Sequence, residues 1–563
     1  MRLNLFALSV SLLAVAPVTV KAASLSKDDV TRVLAQAVSR AAQIDPNAVI
    51  AVTDREGYVL GVWDVNGGTA PNPQVIAGAV SRAGTAAFLS SNQEAFTSRT
   101  AGFIVQQHFP PLVVNTAPGP LVGVGLSNIY LSPDAPQRVG MHSDVNFLKQ
   151  IPLDATDTFD PNTYFAGEVG ATLAVSPGTF GAGIRKNAAG AIAKGTGISG
   201  TSLNDTPGGV PLYKDGELVG AIGVTGDGSP INISTGFAII EGKTQSNATP
   251  GFKLGGDIDE QVALAGQVGY EPSSDILATK VLINGIRLPY ADMQVYLPPV
   301  NPLGSIGKVV AAFPVQASPP PFQYKEGTIG GLSGQIRFDF RNDPFPGTIN
   351  GAQRLQAGDV RQIITRAAKR AAITRAGIRL PLGSMAQVFI CVVGNPNTPG
   401  AKPPILGVFR TGDATIFSWD VAVQKARTAI FFSTNNFAQS TRTVGFLAQR
   451  YYPPGLDGRP PGPYFGWQET LLYDDFITAT TGQAYHNPAL PNGITVFPGG
   501  IPLYRNGQLV GAIGVSGDGV DQDDIIAASG CGNFAPATNI RADQFIYRGA
   551  RLPFVKFPRD PIQ

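Results

Sequence analysis

A chain of 563 residues is longer than one ordinary core can organise, so at least two domains are expected. Its 42 Lys and Arg against 40 Asp and Glu leave a net charge of +2, which argues against the basic excess that a nucleic-acid or anionic-membrane surface needs. Only 15% of residues are charged, Gly (67) and Pro (46) are abundant and 43% are apolar, a balance that fits compact domains with long turn-rich loops and not disorder.

Residues 1–22 read as a secretory signal peptide: Arg2 gives the positive end, Leu3 to Val18 is mostly apolar, and Val20 and Ala22 suit a cut after Ala22. The run is short for a membrane anchor and no other stretch is long enough to span, so the mature chain is expected in the periplasm or outside the cell. Ser26 to Asp29 resembles a capping box, and Val30, Val33, Leu34, Ala37, Val38 and Ala41 follow at helical spacing. Ala48 to Thr53 and Tyr58 to Trp63 read as strands around the turn at 54–57. Helices are predicted over 75–89 and 93–107, stopped by Pro110 and Pro111.

A glycine-rich insertion, about 112–207, leads to GGVPLYKDGELVGAIGVTGDG at Gly208–Gly228. The same stretch returns as GGIPLYRNGQLVGAIGVSGDG at Gly499–Gly519, with 16 of 21 residues identical. Two of the five differences, Asp215/Asn506 and Glu217/Gln508, exchange an acid for its amide. Asp215-Gly216 and Asn506-Gly507 suit tight turns between apolar runs, so each copy reads as a β-hairpin. Gly220, Gly223, Gly511 and Gly514 inside the second strands mark bulges or the close approach of another backbone.

The order before the hairpin also repeats. Val360, Ile363, Ile364, Ala367 and Ala371 mark a helix, Gln387 to Val393 and Ile405 to Phe409 mark strands, and Lys425 to Phe446 aligns with Arg82 to Phe103. That match keeps Thr85/Thr428, Asn92/Asn435, Arg99/Arg442, Thr100/Thr443 and Gly102/Gly445, and the ends agree as Gly285-Ile-Arg-Leu-Pro-Tyr290 against Gly549-Ala-Arg-Leu-Pro-Phe554. The expected organisation is a first domain at 23–297, a Pro-rich linker at 298–351 in which 335–340 could be a strand, and a second domain at 352–563 with its own insertion at about 455–498. Cys391 and Cys531 could pair in an oxidising compartment or stay as buried thiols.

The hairpin pair, the segment Asp420 to Ala429 and the acidic turn Gly517 to Asp524 resemble the GlcG/HbpS-like haem-binding family, also called the haem-degrading domain. The resemblance implies an α+β fold: two tandem domains, each a two-layer arrangement of an antiparallel sheet packed against helices, profilin/PAS-like in shape. It implies haem or a related tetrapyrrole as ligand, and self-association as a homo-oligomer. Family members differ in what they bind, and the chain departs from the expected pattern, because His108, His142 and His486 are its only histidines and none is duplicated.

His108 and Tyr451, which align with each other, are the candidate axial ligands. Arg99-Thr100 and Arg442-Thr443 are the duplicated polar pair, and such an Arg can clamp a haem propionate or serve the fold. Asp518, Asp521, Asp523 and Asp524 form an acidic cluster whose order does not fit a calcium loop; Asp523 or Asp524 capping a helix over 525–529 is the simpler reading. Gly195 to Gly200 matches a dinucleotide pattern by letter but follows no predicted strand. The expectation is an exported tandem-domain haem-binding protein. A structural protein that keeps the fold without ligand is the alternative, and a haem-degrading enzyme the third reading.

Overall fold

The computed structural model describes residues 23–68, 73–104, 207–226, 257–283, 285–291, 295–311, 313–318, 325–449, 451–456, 458–464, 489–490 and 494–556. The predicted signal peptide, His108, His142, His486 and the 195–200 motif lie outside them.

The first half runs α1 (Lys27–Ile44), β1 (Val49–Asp54), β2 (Val59–Asp64), α2 (Pro73–Leu89), α3 (Ser98–Ile104), β3 (Gly209–Lys214), β4 (Glu217–Thr225), α4 (Ile258–Gln267), β5 (Leu282–Ile283) and β6 (Ile286–Arg287). Next come β7 (Lys308–Val309), β8 (Lys325–Ile329), β9 (Leu332–Phe338), β10 (Thr348–Ile349) and β11 (Ala352–Gln353). The second half runs α5 (Ala357–Ala371), β12 (Phe389–Gly394), β13 (Ile405–Thr411), α6 (Phe417–Phe431), α7 (Thr441–Leu447), β14 (Gly500–Arg505), β15 (Gln508–Ser516), α8 (Val520–Cys531), β16 (Ile546–Tyr547) and β17 (Ala550–Arg551).

The fold is α+β, built on two antiparallel sheets of like order: β3-β4-β1-β2-β7 and β14-β15-β12-β13-β9-β8. Their registers correspond, with Ile50 facing Val224 and Ile390 facing Val515, and each hairpin carries one bulge, at Leu212/Tyr213 and at Leu503/Tyr504. Helices cover both faces of each sheet, where two layers were expected. In the first half α1 and α4 pack on one face and α2 on the other; α5 with α8, and α6, do the same in the second. That is why β1, β2 and β12 are buried along their whole length and show apolar runs without alternation.

The hairpin glycines follow from this packing. Asp215 and Gly216 sit at φ 53° and 79°, Asn506 and Gly507 at 50° and 74°, as a tight hairpin turn requires. A Cβ on Gly223 would fall on the Ala79 carbonyl oxygen of α2, and one on Gly514 on the Ala422 oxygen of α6. The central helices therefore lie directly against the hairpins.

Two helices depart from their expected bounds. The helix predicted from 93 begins at Ser98, because 90–97 forms a polar turn in which the Ser90 hydroxyl bonds both ends of Phe96 and Thr97 caps the helix through the Thr100 amide. The helix predicted over 525–529 starts at Val520, so Asp523 and Asp524 lie inside it as ion-pair partners and not as caps; Gly530 also lies inside it, where a Cβ would meet Ile513. Cys391 and Cys531 form no disulfide with each other: they are buried in different core clusters on opposite faces of the second sheet.

The Pro-rich stretch that joins the halves also extends both sheets. β7 pairs with β2, Gln316 and Ser318 continue onto Leu60 and Leu25, and the β8–β9 hairpin pairs with β13. Between the halves runs a charged seam. Arg337 bonds both Glu56 oxygens at 3.0 and 2.7 Å, and its guanidinium lies 4.6 Å from the centroid of the buried Trp419 ring. Asp413 takes an ion pair from Arg55 and the Asn92 amide. Buried Glu94 faces Arg379 and Asp518 across the seam.

Candidate functional site

The duplicated Arg-Thr pairs open α3 and α7, beside the start of each hairpin. Ser98 and Thr441, one residue earlier, accept the Gly209 and Gly500 amides at 2.9 Å. The next threonine reaches the terminal segment: Thr100 donates to the Pro289 carbonyl at 2.7 Å and Thr443 to that of Pro553 at 2.6 Å. Thr100 and Thr443 thereby tie each helix to its terminal segment, as Ser98 and Thr441 tie it to the hairpin, which accounts for the repetition of the threonines.

The arginines turn the other way, toward α4 and α8. Arg99 grips Glu260 with two parallel bonds, Nε to Oε1 at 3.0 Å and Nη2 to Oε2 at 2.8 Å. The side chains are 7% and 0% exposed, so this pair is sealed. Arg442 donates from Nε to Asp524 at 2.8 Å and from Nη2 to Asp521 at 2.6 Å, and the Lys556 ammonium reaches Asp521 at 2.7 Å. Here Arg442 is 22%, Asp521 40% and Lys556 48% exposed, so the second network opens to solvent. Burial raises the Asp524 carboxyl against the pull of Arg442. Burial would raise Asp521 too, but the bonds from Lys556 and Arg442 outweigh it and hold Asp521 below its ordinary range.

Beneath each pair lies a buried ion pair. The Arg82 guanidinium meets Asp259 and the Val224 carbonyl; the Lys425 ammonium meets Asp523 at 2.8 Å and the Val515 carbonyl at 2.9 Å. Burial pushes the Asp523 carboxyl up to about 6 despite the adjacent ammonium. Asp259 and Glu260 lie beyond the end of the hairpin identity at Gly228, so the hairpin itself does not point to them. Counting back from the Gly285/Gly549 motif instead places Asp257, Asp259 and Glu260 opposite Asp521, Asp523 and Asp524.

The acidic cluster is thus distributed among protein cations, with Asp518 held by Arg379. Among the described residues no group of three His, Cys, Asp or Glu could hold a metal ion, and no helix is long and apolar enough to cross a membrane. Tyr451 is 36% exposed, just beyond α7. A groove of about 510 Å³ opens between α1, at Asp28, Thr31, Arg32 and Ala35, and residues 300–303, away from all these candidates. Among the described residues the candidates thus leave two partly exposed cations, Arg442 and Lys556, and one exposed phenol, Tyr451.

The family model described as "Haem degrading protein HbpS-like" matches residues 400–531, from the loop before β13 through α8. The match is to that stretch, under a quarter of the chain. Three solved structures are similar to it over about a third of its length. The PduOC:haem complex is 22% identical, covers 32% of this chain and 94% of its own, and superposes with a TM-score of 0.22. The Klebsiella pneumoniae protein ORFY, of the DUF336 family, is 22% identical over 33% and 97%, also at 0.22. A double mutant of Streptomyces reticuli HbpS is 19% identical over 34% and 93%, at 0.21. A search of curated proteins gives no match.

Proposed function

We propose that this HbpS-like chain is an exported binding protein for haem or a related tetrapyrrole, made of two domains of one kind in tandem. The observation that carries the ligand reading is the match of 400–531 to a family described by its action on haem. The tandem reading is supported by the like order and register of the two sheets. Export is supported by the sequence of residues 1–22.

The sealing of Arg99 against Glu260 favours a second reading for the first half, as a structural partner. On that reading haem binds only at the second half, with Arg442 and Lys556 toward its propionates. When bound, haem would supply the iron and its redox chemistry; the chain's residues would hold its carboxylates and shield it.

Titration of the mature protein with hemin tests this. A saturable Soret shift is expected, altered by His108→Ala or Tyr451→Phe. Absence of a shift removes the haem reading, and an unchanged spectrum in both variants removes both ligand candidates.

A further inference from the structure

We infer that cleavage after Ala22 creates a structural ion pair: the new α-ammonium of Ala23 docks on the Glu217 carboxylate at the turn of the first hairpin. The inference rests on the proposed export and concerns what processing does to the folded chain.

The backbone nitrogen of Ala23 lies 2.9 Å from Glu217 Oε2. In the precursor that nitrogen is a peptide amide. After a cut at the predicted position it carries a positive charge, and the same contact becomes a charge-assisted one. The segment is fixed, because Leu25 is buried, its amide bonds the Ser318 hydroxyl at 3.3 Å and its carbonyl accepts the Ser318 amide at 2.8 Å. The terminus is therefore delivered to Glu217 without ordering a free tail.

The second half supplies the control. Leu355 is the buried counterpart of Leu25, and Gln508 is the counterpart of Glu217. There the chain runs on without a break, and Gln508 Oε1 meets only neutral amides, those of Asn350 at 2.8 Å and Asn435 at 2.7 Å. The hairpins are otherwise nearly identical, and one of their two acid-for-amide exchanges falls where one half would gain a terminal charge and the other cannot. An acid facing an ammonium and an amide facing amides is the pairing that electrostatics favours in each place.

The test secretes the full chain, measures intact mass, and compares melting of the processed protein and its Glu217→Gln variant between pH 6 and 10. The same pair is made with a short tail left before Ala23, so that its nitrogen stays an amide. A mass starting at Ala23 is expected. The substitution should lower Tm by about 1–2 °C at pH 6, as for a half-exposed pair. The partner raises the amine's folded pKa, so this difference should fade as pH rises through the α-amino range near 8. In the tailed protein the loss should be smaller and flat with pH. A different start site overturns the processing step. A start at Ala23 with equal or pH-independent losses in both backgrounds overturns the ion pair and leaves export standing.

Discussion

The two halves solve the same burial problem with different cations, and that sets what a substitution does. Arg82 and Lys425 occupy equivalent places, each between a carboxylate of the following helix and a strand carbonyl. Arg82→Lys is therefore expected to cost under about 1 kcal/mol, whereas Arg82→Met leaves Asp259 buried without that partner and should cost about 3–5 kcal/mol. Denaturant melts of both variants check the contrast. Glu94 gives a pH signature. Burial drives its carboxyl from 4.5 up to about 9, with Arg379 opposing and Asp518 adding to the rise. Tyr213, whose hydroxyl bonds the Glu94 carbonyl at 2.9 Å, also feels Arg55 and Asp413, so these groups share the site. Because the folded state holds this proton more tightly, its stabilisation is full below pH 4.5 and is lost as pH rises toward 9. Glu94→Gln should flatten that decline, seen as a smaller change in denaturant midpoint between pH 5 and 9.

At the scale of elements, the hairpin is fixed twice, by its turn and by the helix behind it. Gly216 could take a Cβ with nothing within 4 Å, so Gly216→Ala meets only the strain of its positive φ, about 1 kcal/mol. Gly223→Ala would drive a methyl into the backbone of α2, which cannot step aside without moving its buried face, and should cost about 3 kcal/mol or more. Thermal unfolding of the two variants should separate turn strain from helix contact. Helix boundaries were less legible. Asp523 and Asp524 have the look of caps in the sequence, yet Lys425 and Arg442, about 80–100 residues away, draw them into the helix interior. The cap of α3 was hidden because Thr97 and Thr100 compete with a plausible earlier start, and Tyr213 in the distant hairpin settles it by bonding the Ser91 and Glu94 carbonyls.

At the scale of the molecule, the halves meet through Arg337, Glu56, Arg55 and Asp413, and the joining stretch lies along both sheets. The Arg337 side chain is fully buried and stacks on Trp419, and Glu56 supplies it with a counter-charge. Glu56→Gln is expected to lower stability by about 2 kcal/mol, discounted for the partial exposure of Glu56, and to shift tryptophan emission. An unchanged emission with an unchanged melting profile would mean that the seam does not couple the halves.

The sequence by itself determined the repeated hairpin, its turn chemistry, the apolar strands and the family likeness, because backbone geometry and local period write themselves into nearby letters. Arg99, Thr100, Arg442 and Thr443 were legible as a repeated pattern for the same reason. Only the tertiary structure decided what those residues face. Glu260 seals one arginine while Asp521 and Lys556 leave the other half open, helices close both faces of each sheet, and the terminal segment takes both threonines. Partners separated by 79 to 189 residues in the chain leave no local trace of which charge meets which, and that choice is made by packing.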